Sequence, residues 1–94
     1  MKPSESDLKE AIDVARDMLA ERKADFAREL DYLLTMLQDA AITCRSGRKT
    51  RTLKLLSECL TAEYDVTGEC EVTTLVANRL GLEDALDEFD AQSF

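Results

Sequence analysis

Apolar side chains recur at helical spacing along most of the chain. Leu8, Ile12, Ala15 and Leu19 stand four, three and four residues apart, with Ala11 and Met18 widening the stripe. That is the periodicity of one face of an amphipathic helix, here spanning roughly residues 5–22. Ser4 and Asp7 have the spacing of a capping box, and Glu5 and Asp7 suit the positive end of the helix. The pattern resumes as Phe26, Leu30, Leu33, Leu37, Ala40 and Cys44, flanked by Leu34 and Ala41. Between the two runs lies Glu21-Arg22-Lys23-Ala24-Asp25, which puts Arg22 on the seam, and no Gly, Pro or Asn interrupts residues 4–46.

Two arrangements of residues 5–45 fit this pattern. A tight turn near 22–25, with Asp25 capping the second helix, gives a long helical hairpin. One long, kinked helix of about 40 residues is the alternative; it would extend about 60 Å and need a second copy to bury its seam. Either way the stripe Leu8, Ile12, Leu19, Phe26, Leu30, Leu33 and Leu37 is long for the chain, and a homodimer is expected.

Ser46-Gly47 ends this region, since Gly is the usual residue just past a helix C-terminus. A third helix over residues 50–64 follows, with Leu53, Leu56, Leu60 and Tyr64 on its inner face and Thr50 or Thr52 as its cap. Asp65-Val66-Thr67-Gly68 reads as a turn. Residues 71–90 then divide at Gly81 into two short helices. The first carries Val72, Leu75, Val76 and Leu80, the second Leu82, Ala85, Leu86 and Phe89, and residues 91–94 read as a frayed end.

Composition supports the same picture. Of 94 residues, 45% are hydrophobic, enough for a single modest core. Leucine occupies fourteen positions, whereas Gly occurs three times and Pro once. These proportions favour helices over a many-turned β fold. The expected fold class is all-α, four to five helices in a single helical domain over residues 1–94.

Charge is unevenly distributed. The formal net charge is −8, yet Arg45, Arg48, Lys49, Arg51 and Lys54 fall within ten residues that contain no acid. The last forty residues hold ten carboxylates and one base, Arg79. Segregation of this kind bears on partners and association more than on fold. The candidate binding residues are therefore the five cations, together with Asp84, Asp87, Glu88 and Phe89 of the acidic, amphipathic C-terminal segment.

Leu75-Val76-Ala77-Asn78-Arg79-Leu80-Gly81-Leu82 resembles the first helix and turn of a helix-turn-helix motif, with the Ala77 to Gly81 spacing of that family. The resemblance covers eight residues. It implies a recognition helix after Leu82, where this chain places Glu83, Asp84, Asp87, Glu88 and Asp90 instead of donors to phosphates and base edges.

Several chemistries have no residues to support them. The chain contains no histidine, which removes the common general base, metal ligand and pH switch. It has no phosphate-binding glycine loop and no calcium-loop spacing. Cys44, Cys59 and Cys70 are widely spaced and odd in number, as expected of reduced core thiols. No secretory leader or membrane-length apolar run is present, so a cytoplasmic protein is expected. The sequence thus argues against an enzyme and calls for no cofactor or metal. It favours a small acidic protein-interaction module: an inhibitor, adaptor or chaperone-like regulator. An accessory nucleic-acid-binding protein using residues 45–54 and a structural homo-oligomer are the alternatives.

Overall fold

The computed structural model describes residues 4–21 and 27–92. Among these residues the fold is all-α, with no strand: α1 (Glu5–Ala20), α2 (Ala27–Arg45), α3 (Lys49–Thr67), α4 (Glu71–Arg79) and α5 (Glu83–Gln92). The capping box at α1 is formed as expected. Ser4 Oγ accepts from the Asp7 N–H, and the Asp7 carboxylate accepts from the Ser4 N–H.

The first two helices form the hairpin. Arg45 at the end of α2 donates two hydrogen bonds to the Glu5 carboxylate at the start of α1, at 3.0 and 3.2 Å. Only antiparallel helices bring these two ends together; in one continuous helix they would stand about 60 Å apart. The single-helix arrangement is therefore corrected. The turn at 22–25, the Asp25 cap and the seam positions Arg22 and Phe26 lie outside the described residues.

The hairpin continues into a second one. Gly47, at φ 78°, donates its N–H to Cys44 O, and Arg48 donates to Thr43 O, an arrangement that closes the C-terminus of α2 and reverses the chain. The α2–α3 interface is the most extensive in the molecule. Helix α4 packs on both α1 and α3, and α5 packs on α3 and α4. The result is a slab 37 × 34 × 16 Å across its Cα atoms. The thin dimension matches about two helix layers.

Helix α3 is longer than its apolar pattern indicated. It extends through Asp65, Val66 and Thr67, none of which obliges it to stop, and ends at Gly68. Its cap position is Arg48, without a side-chain cap bond. Thr52 is not a cap: it is fully buried against α2, where its hydroxyl donates to Arg48 O and meets Thr43 Oγ1 at 2.9 Å. The inner face runs through Thr52, Leu53, Leu56, Cys59 and Glu63. Tyr64, expected on that face, is 62% exposed because Glu63 takes the inward position. Helix α5 continues past residue 90 to Gln92.

The long stripe is covered within the chain. Leu8, Leu19, Leu30, Leu33 and Leu37 are buried and Ile12 is half-buried. Burial of these side chains thus needs no second copy. No helix among the described residues is long and apolar enough to cross a membrane.

Candidate functional site: a basic corner, an acidic helix and a capped junction

The chain reversal after α2 and the first two turns of α3 carry the five cations. Helical spacing turns Arg51 and Lys54 away from the buried face defined by Thr52, Leu53 and Leu56. Arg48 and Lys49 stand at the exposed start of the helix. Arg45 alone of the five forms an ion pair among the described residues, and its partner is Glu5 of α1. Arg48, Lys49, Arg51 and Lys54 form a cationic corner that makes no ion pair among the described residues.

The acidic candidates lie on α5. Asp84, Asp87 and Glu88 are exposed on the outer face of α5, while Phe89 is half-buried and packs against the core with Leu82 and Ala85. Helix α5 is tied to α3 by Asp90, whose carboxylate accepts from Ser57 Oγ at 2.9 Å. Among the described residues none of Asp84, Asp87 and Glu88 pairs with a cation. Among the described residues, no ion pair joins Arg48, Lys49, Arg51 or Lys54 to a carboxylate of the acidic half.

The segment that resembles a helix-turn-helix has the corresponding backbone. Gly81, at φ 73°, donates to Asn78 O and Leu82 donates to Ala77 O, closing α4 before α5 begins. Asn78 Nδ2 also donates to Glu83 Oε2 across the turn, at 2.7 Å. The second helix nevertheless presents carboxylates outward, the wrong sign for phosphate contacts.

A junction that the apolar pattern did not reveal lies at Glu63. Its side chain is fully buried, and it caps α4 from outside. Oε2 accepts from the Val72 N–H at 2.9 Å; Oε1 accepts from the Thr73 N–H and Thr73 Oγ1, both at 2.7 Å. Carboxylates are stabilised at the positive N-terminus of a helix, and here three donors replace lost water. Two signals in the sequence point to this role. Glu63 lies four residues after Cys59 and seven after Leu56, on the buried stripe, and the α4 cap position holds Cys70, which makes no side-chain cap bond.

Two of the three thiols, Cys59 and Cys70, are poor nucleophiles. Burial, reinforced by Glu58 and Glu63, pushes the Cys59 thiol up to about 12. Burial, then Glu63 and Asp90, also raises the Cys70 thiol, whose Sγ donates to Leu60 O. Among the described residues no cluster of three or more Cys, Asp or Glu side chains is arranged to hold a metal ion.

An open groove runs between α1 and α2. Its apolar lining is Leu8, Ile12, Ala41 and Ile42, and its rim includes Lys9, Asp13 and Arg16 on α1 and Arg45 on α2. It encloses about 470 Å³. Compared with protein-family models, curated proteins and solved structures, the chain matches none.

Proposed function

We propose that the chain is a small non-catalytic interaction module whose basic corner engages an acidic surface of another protein. The observation that carries this reading is the set Arg48, Lys49, Arg51 and Lys54, exposed and without acidic partners among the described residues, in a chain with net charge −8. Left unpaired within the fold, these side chains are available to an external anion. Complementary charge of this kind steers encounter and selects partners. The raised Cys59 and Cys70 thiols and the absence of histidine agree with a role in binding rather than catalysis.

The test compares capture from the native host by the wild type with capture by a variant in which all four cations are glutamine. A second variant, with Asp84, Asp87 and Glu88 changed to asparagine, serves as a control. The module reading expects a discrete protein partner that is lost with the first variant and kept with the second. A partner retained by the quadruple variant would refute it.

Nucleic acid is the second reading, favoured by the same four cations and by the exposed Thr50 among them. Its signature is a steep salt dependence, with log K falling by roughly 0.7 to 0.9 per neutralised phosphate. It stands second because an extended polyanion reaches beyond the four cations into the repulsive field of a chain with net charge −8, whereas an acidic patch on a protein can be confined to the corner. For a structural homo-oligomer, the unpaired cations of one copy and the outer face of α5 of another are the complementary surfaces, and light scattering across a salt series measures their association.

A further inference from the structure

We propose that the groove between α1 and α2 is the docking site for an acidic amphipathic helix of the partner protein. This deepens the module reading and takes from it the acidic character of the partner.

The groove has the dimensions of such a ligand. Its lining on α1 runs from Glu5 to Arg16, twelve residues or about 17 Å of helix from first to last, close to three turns. A helix laid along it would present apolar side chains at i, i+3 or i+4, and i+7, the anchoring pattern of helix-in-groove recognition. The apolar lining is continuous. Ile42, 63% exposed at the lip, adjoins the half-buried Ile12 and the buried Leu8 and Ala41. An isolated exposed isoleucine needs no explanation, but here it belongs to a groove with apolar walls.

The rim fixes the sign of the ligand. The two carboxylates that line the groove are each already paired with a rim arginine: Glu5 with Arg45 at 3.0 Å and Asp13 with Arg16 at 3.6 Å. Lys9 makes no ion pair among the described residues. The uncompensated charge at the groove is therefore positive, on a molecule whose total charge is −8. Arg45, at one end, is also three residues from Arg48, where the basic corner begins. A helix with acidic flanks complements this rim, whereas a basic helix would find both rim carboxylates occupied.

The experiment titrates two synthetic helical peptides of about 14 residues into the isotopically labelled wild type, followed by NMR. That length covers the three turns with a short margin at each end. Both peptides carry leucines at i, i+4 and i+7; one has glutamate flanks and the other lysine flanks. The glutamate peptide is expected to give saturable shifts centred on Leu8, Ile12, Ala41 and Ile42. Ile42→Asp should weaken it about tenfold or more, because an apolar anchor is lost and a like charge introduced. The melting temperature should stay nearly unchanged, since Ile42 is exposed. Lys9→Glu should weaken binding in the same direction.

Equal binding of the lysine peptide would overturn the proposal, as would shifts confined to residues 48–54. A wild-type dimer that Ile42→Asp converts to a monomer would also overturn it, by showing that a second copy covers the groove. Peptide titration reads the groove alone, and host capture by the four-glutamine variant reads the basic corner alone, so the two failures are separable.

Discussion

At the scale of single residues, two buried groups dominate the physical chemistry. Glu63 supplies the acceptor for three donors in a site without water-exposed alternatives. Glu63→Gln keeps the shape but turns an amide N–H₂ towards donors, leaving at least one of them unpaired. A cost of about 2–3 kcal/mol is expected, which lowers the melting temperature by roughly 10–20 °C for a domain of this size. Glu63→Ala should cost more, because it removes every acceptor. Thermal unfolding followed by circular dichroism checks both. Cys59 supplies a pH dependence of definite sign. Burial pushes its thiol up to about 12 in the folded chain, against 9.0 for a free thiol. Between those values the unfolded chain releases a proton that the folded chain retains, so stability falls as pH rises above about 9, by up to ~1.4 kcal/mol per unit. In Cys59→Ala this part of the alkaline loss should disappear. Urea unfolding at pH 8 and pH 10 measures the difference between the two slopes.

At the scale of helices, local signals located most of the elements. The Ser4–Asp7 capping box, the ends at Gly47 and Gly81, and the four-three spacing of Leu8 to Leu19 are short-range features that packing did not override, whereas the turn read at 65–68 is the last turn of α3 and its Gly68 cap. The misread features have a common cause. Thr52 reads as a cap from its residue type and Tyr64 as inward-facing from its spacing, and the apolar pattern passes over Glu63 because it is charged. In the fold, polar atoms go inside wherever another helix provides partners. Thr52 finds Thr43 of α2, and Glu63 finds the start of α4. Such pairings join residues on different helices, and a single helical pattern cannot display them. The close of α4 offers a clean test of element-level energetics. An added Cβ at Gly81 would meet nothing within 4 Å, so Gly81→Ala probes the positive φ alone. About 1 kcal/mol of destabilisation is expected, or roughly 4–8 °C in melting temperature.

At the scale of the whole molecule, charge and fold are largely independent. Replacing Arg48, Lys49, Arg51 and Lys54 with glutamine takes the formal charge from −8 to −12. Exposed charges contribute under about 1 kcal/mol each to folding, and these four have no acidic partner to lose. The variant should melt close to the wild type while losing its partner, as read by calorimetry and capture together. The charge segregation was fully legible in the chain. The groove was not, because it exists only once α1 and α2 lie antiparallel and leave Ile42 uncovered between two arginine–carboxylate pairs. Nor was the self-sufficiency of the apolar stripe, whose cover comes from the packing of α2 on α3 and of α4 on α1 and α3.

The buried cap at Glu63 also bears on the order in which the molecule assembles. Helix α4 has nine residues, short of the ~12–15 at which an isolated helix becomes marginally stable in water. Its N-terminal donors are satisfied from the preceding helix, nine and ten residues back along the chain. Helix α4 therefore has little reason to form until α3 has extended to Glu63 and the intervening loop has closed. The α2–α3 hairpin, by contrast, is built from contiguous helices joined by a three-residue turn and suits an early nucleus. We expect stopped-flow measurements on Glu63→Gln to show faster unfolding with a nearly unchanged refolding rate, as for an interaction made after the transition state. The junction that holds the second half of the slab in place would then be the last to form and the first to open.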